Sequence, residues 1–144
     1  MLLNSLPLLS VLTAALIVSG VQDWRSREVS NWITIPLFIA GWVACIWRLT
    51  TNFFGGAALI ILMLILTALA CTGWMGGADW KVLAGLFGLW PLAGFASLVL
   101  AGVWGLVEVA RTRDRHVRIP AVTAFTLATV LIFILHIRYR LWMT

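Results

Sequence analysis

Apolar and polar positions along the chain fall into long apolar runs separated by short polar breaks. The runs are Leu2 to Val21, Trp32 to Trp47, Phe53 to Thr72, Val82 to Val107 and Ile119 to Ile137. A helix needs about 20 mostly apolar residues to cross the hydrocarbon core of a membrane. The pattern therefore predicts an all-α fold, a polytopic integral membrane bundle of about six transmembrane or partly re-entrant helices. Residues 1–144 are expected to form a single membrane-embedded domain. Val18, Ser19 and Gly20 offer the small residues of a signal-peptidase site, but no Lys or Arg precedes the first run. That run is read as an uncleaved helix.

The run Val82 to Val107 is long for one span and carries Trp90-Pro91 about a third of the way along. It reads either as one kinked helix or as a half-helix to Leu89 followed by a full span from Leu92, because proline interrupts a helix but starts one readily. Charge separates the two. A single crossing puts Arg25, Arg27, Lys81, Arg138 and Arg140 on one side and Arg48, Arg111, Arg113, Arg115 and Arg118 on the other, five against five. A dip and return leaves only Arg48, Arg138 and Arg140 opposite the other seven. The positive-inside rule prefers the second arrangement and makes the face with Arg25 and Arg27 cytoplasmic. Both termini are then expected outside.

Composition excludes a water-soluble domain: of 144 residues, 62% are hydrophobic and 10% charged, with a mean hydropathy of +1.05. The formal net charge of +5 lies mostly in loops. It reads as a topology signal and not as a nucleic-acid surface. The segment RTRDRHVR, Arg111 to Arg118, is read as an orientation signal and an anchor to lipid headgroups. Tryptophans 24, 32, 47, 74, 80 and 142 lie at the expected span ends, as an interfacial belt would. Cys45 and Cys71 sit in apolar runs, far apart and without a metal-ligand pattern, and read as small packing residues.

The acids are Asp23, Glu28, Asp79, Glu108 and Asp114. Two spans separate the loop at Gln22 to Asn31 from the loop at Gly73 to Lys81, so the chain crosses and crosses back. Both loops share a face, and Asp23 and Asp79, each at a span end, can be brought together by helix packing. Asp23 with Arg25 and Arg27, and Asp79 with Lys81, also read as local ion pairs, since acids at a membrane are kept for a function or paired with a base. Gly73, Gly76 and Gly77 favour the functional reading, because they suit a backbone that approaches something closely. Two neighbouring carboxylates resist double ionisation. One then holds a proton and hydrogen-bonds a carbonyl oxygen while the other takes a proton from an attacking water.

Two stretches resemble the type IV prepilin peptidases, membrane aspartyl proteases with a GxGD-type motif. DWRSREVSN, Asp23 to Asn31, is similar to the first motif, an Asp followed by spaced arginines and a terminal Pro-Asn or Ser-Asn before the next span. GGADWK, Gly76 to Lys81, is similar to the second, with Ala78 in place of its second glycine and Lys81 as the basic residue that follows. RIPAVTAF, Arg118 to Phe125, resembles the Ile-Pro segment that opens the last helix. The resemblance implies Asp23 and Asp79 as catalytic acids, supported by Arg25, Arg27, Asn31, Gly76, Gly77, Ala78 and Lys81, with no cofactor and no metal.

It further implies a prepilin-like substrate with a basic leader, cut after a small residue at the cytoplasmic face of the inner membrane. The paired-cysteine segment of the larger, methylating members has no counterpart here. The chain is thus similar to the short peptidase-only forms of Tad-type pilus systems or the preflagellin peptidases. Two rival readings are a small proton-coupled transporter subunit, which would place acids at mid-span, and an inactive structural component of a pilus or secretion system.

Overall fold

The structure, a computed structural model, describes residues 6–73, 75–113 and 119–142. Leu2, Trp74 and residues 114–118, with Asp114, Arg115 and Arg118 among them, lie outside the described residues. Six helices run through those that are described: α1 (Leu6–Ser26), α2 (Asn31–Thr51), α3 (Phe53–Cys71), α4 (Gly77–Leu89), α5 (Pro91–Thr112) and α6 (Ala121–Trp142). Five of them are long and apolar enough to cross a membrane; α4 is not among these. The chain is a multi-pass membrane protein. Its outward faces carry the aliphatic side chains that suit lipid, such as Val11, Ile39, Val43, Ile61, Val99 and Leu131.

The ambiguous run resolves into two helices. α4 ends at Leu89, Trp90 is the shared cap residue with an extended φ of −142°, and Pro91 opens α5. With 13 residues, α4 is about 20 Å long, short of the roughly 30 Å hydrocarbon thickness. Every residue from Val82 to Leu89 is buried. The half-helix is thus the centre of the molecule, packed by α2, α3, α5 and α6. A helix that stops inside a membrane leaves carbonyls without partners, which lipid does not satisfy. Arg48, from the end of α2, meets that demand: its Nε donates to the Gly88 carbonyl at 3.3 Å and its Nη2 to that of Leu89 at 3.4 Å.

Glycines bring α2 and α4 together. A Cβ on Gly41 would lie 2.6 Å from Gly85 Cα and 2.8 Å from the Ala84 carbonyl, and a Cβ on Gly88 would run into the Gly41 carbonyl. Backbones this close are the membrane solution to packing without a hydrophobic drive between helices. Leu37 meets Gly85 and Arg48 meets Gly88, so the two helices run in the same direction.

Helix directions follow from the remaining pairs. The Thr126 hydroxyl lies against the Leu16 carbonyl and the Thr123 hydroxyl against that of Gly20, so α6 is antiparallel to α1. Ser97 bonds to the Phe125 carbonyl, while Gly105 lies opposite Ile119, so α5 is antiparallel to α6. Trp104 of α5 meets Trp24 of α1 at 6.5 Å. α5 therefore returns to the face at which α1 ends. The dip-and-return arrangement is the one adopted, with the first end of α1 and the last end of α6 on the opposite face.

Two local expectations change. Cys45 is buried and lies 3.1 Å from the Met63 sulfur, as a packing residue should, but Cys71 is exposed at the end of α3. Trp24, Trp32 and Trp47 are exposed as a belt requires, whereas Trp80 turns inward, edge-on to Phe38 at 4.6 Å. An indole at the start of a half-helix has a neighbouring span to cover it, which the span-end pattern did not reveal.

Candidate functional site

Asp23 lies on the last full turn of α1 and is only 6% exposed. Its Oδ2 accepts the backbone N–H of Thr123 at 3.0 Å and lies 3.2 Å from the Thr123 hydroxyl. Both donors come from the first turn of α6, a hundred residues later. Helix N-termini present unsatisfied N–H groups and a partial positive charge, so they suit a carboxylate. Asp23 is thus held by the start of α6, a partner that its local sequence does not suggest.

Asp79 occupies the third position of α4, after the cap residue Gly76. The Gly76 N–H bonds back to its carboxylate, the return half of a capping box. A Cβ on Gly76 would stand 2.6 Å from Asp79 Oδ2. Only glycine lets the carboxylate fold back there. The Asp79 carboxyl is pushed up to about 6: burial is the largest cause, the charge of Asp23 adds to it, and the Gly76 bond opposes both. The two acids, 56 positions apart in sequence, are therefore close enough for one charge to raise the proton affinity of the other.

The loop between α1 and α2 is braced. The Arg27 N–H bonds to the Asp23 carbonyl at 3.0 Å and ends α1 in a left-handed turn, φ +57°. The Ser30 N–H reaches Gln22 Oε1, and Ser30 Oγ caps α2 by accepting from Trp32. Asn31, first in α2, accepts from Lys81 Nζ at 3.2 Å, which ties the first polar stretch to the second. Arg25 is exposed on the last turn of α1.

Gly77 departs from expectation. A side chain there would meet nothing within 4 Å, and its φ is ordinary. Gly73 is needed for its turn, at φ +79°, and not for a close approach. Ala78 is helical and absent from the positive-φ residues, so nothing at that position demands a second glycine. Glu28 is exposed on the loop, and Glu108 is half-buried on α5. His136 lies at the far end of the bundle, 6.0 Å from the Trp90 ring.

Two residues that sequence reasoning did not single out complete the arrangement. Thr123 falls inside RIPAVTAF, three residues after the proline that opens the last helix. Arg48 entered only as a topology charge, although a lone arginine ending an apolar run is itself a signal for a buried acceptor.

Five spanning helices around a buried half-helix define a polytopic membrane protein that gathers two carboxyl groups, from α1 and α4, at one face. The chain matches the type IV leader peptidase family over residues 10–136 and belongs to it. It is a membrane protease of the leader-peptidase kind. No curated protein and no solved structure matches it.

Proposed function

We propose that the chain is an aspartyl endopeptidase that removes the leader from prepilin-like precursors at the cytoplasmic face of the inner membrane. Asp23, Asp79 and one water carry the reaction, without metal, organic cofactor or methyl transfer to the new N-terminus. The observation that carries this reading is the electrostatic coupling of two acids from distant helices, with the Asp79 carboxyl raised to about 6 by burial and by the Asp23 charge.

Asp79 is the acid that holds the shared proton, because it is desolvated and faces a second negative charge. Asp23, fixed by the Thr123 donors, is the base. Water oxygen bonds to the scissile carbonyl carbon, its proton passes to Asp23, and Asp79 gives its proton to the carbonyl oxygen. Collapse of the tetrahedral diol breaks the C–N bond as Asp23 passes its proton to the leaving nitrogen and Asp79 takes back a proton from one diol hydroxyl. The substrate's apolar helix lies in lipid while its basic leader faces the acids. Lys81, held by Asn31, and Arg25 frame the site.

The test is co-expression with candidate prepilins, reading the pilin's size shift on a gel for the parent, Asp23→Ala and Asp79→Ala. Both variants should reach normal membrane levels and process nothing. Processing by either at the parent rate would sink the two-carboxylate mechanism.

A further inference from the structure

We propose that Thr123 is the positioning residue of Asp23, an inference that rests on the reading of Asp23 as the general base. Pro120 sits at the cap position of α6, where its carbonyl accepts the Ala124 N–H at 3.2 Å. Proline has no side-chain oxygen with which to cap the first-turn donors, so an acceptor must come from elsewhere. Asp23 supplies it by accepting the Thr123 N–H.

The Thr123 hydroxyl stands between two acceptors, Asp23 Oδ2 at 3.2 Å and the Gly20 carbonyl at 3.0 Å. It has one hydrogen and serves one of them at a time. Gly20 lies inside α1, where its carbonyl takes that helix's own N–H four residues on. The charged acceptor makes the stronger bond. The hydrogen therefore goes to Asp23 whenever Asp23 is ionised. Both donors then meet on Oδ2, and Oδ1 is the oxygen that works on water.

One turn deeper, Thr126 makes a contrasting rung. Its hydroxyl lies 2.7 Å from the Leu16 carbonyl and 2.9 Å from that of Val122, both neutral. A Cβ on Gly20 would fall 2.9 Å from Thr126 Cβ, so α1 and α6 meet here at a distance that only glycine allows. Thr126 thus shares the helix contact of Thr123 but not its carboxylate. Among the described residues, Asp79 of α4 acts on Asp23 through its charge, Arg25 and Arg27 follow Asp23 on the last turn of α1 and the loop beyond it, and α6 offers Thr123 and its first-turn N–H groups.

The experiment measures kcat and KM against pH for the purified chain in lipid vesicles. The probe is a synthetic peptide with a basic leader, a glycine before the cut and an apolar helix. Thr123→Val should lower kcat about tenfold, the size of one lost hydrogen bond to a charge, with KM within about twofold. Its acid-side limb should move upward, since a carboxylate that loses a donor holds its proton more tightly. Thr123→Ser should restore both. Thr126→Val should melt earlier but keep the parent kcat and pH profile. Thr123→Ala gives the same reading if the valine variant does not accumulate. A parent-like profile in Thr123→Val or Thr123→Ala, or the same shift in Thr126→Val, would overturn the inference. Asp23→Asn separates the two levels: if it still cuts, the base assignment fails and Thr123 with it, whereas a dead Asp23→Asn beside a parent-like Thr123 variant removes the positioning role alone.

Discussion

Asp79 holds its proton longer than an exposed aspartate because its charge would be poorly solvated and would face Asp23. If the protonated form is the working acid, cleavage should fall about tenfold per pH unit above about 6. A rate still rising at pH 8 would count against the assignment. Stability follows the same sign. The folded state binds the proton more tightly than the unfolded chain, so this group's contribution is complete in acid and is lost as pH rises through about 6. Asp79→Asn should abolish cleavage yet flatten that decline, which thermal melts between pH 4 and 7 would show. The neighbouring positions divide by what the backbone asks of them. Gly76→Ala places a methyl 2.6 Å from Asp79 Oδ2 and should displace the carboxylate, lowering cleavage about 100-fold. Ala78→Gly should yield no gain, because Ala78 is already helical and glycine costs about 1 kcal/mol there.

At the scale of elements, α4 is the unusual part, since a helix that ends inside the bundle must have its last carbonyls bonded by protein. Arg48→Ala removes both guanidinium donors to Gly88 and Leu89 and should cost about 2–5 kcal/mol, measured as loss of thermal stability in detergent. Arg48→Lys, a point donor in place of a fork, should recover only part of that. A variant Arg48→Ala as stable as the parent would mean that packing against its neighbouring helices, and not the guanidinium fork, holds the half-helix. α4 is also the element that sets the height of Asp79, because it runs alongside α2 and is joined to it near its start by Lys81 and Asn31.

Across the whole molecule, the hairpin of α4 and α5 decides which loops share a face. With both native cysteines replaced, single cysteines at Glu28 and Arg113 should be labelled by an impermeant maleimide from one side of the membrane, and a cysteine at Phe53 from the other. Labelling of positions 28 and 113 from opposite sides would break the hairpin. Much of this was legible in the sequence: the apolar runs, the charge asymmetry and the placement of Asp23 and Asp79 on one face all follow from helix length and from the cost of placing charge in lipid. The choice between one helix and two at Trp90-Pro91 stayed open, because proline both kinks a span and opens a new one, and only the caps provided by Arg48 decide it. Thr123 and Asp23 lie a hundred residues apart, and no local pattern links a threonine to a carboxylate at that distance. Hydrophobic period and charge are local properties of the chain, so they determined the spans and the face of the site. The partners of Asp23, the elevation of Asp79 and the end of α4 depend on which helices touch, and only the tertiary structure decides that.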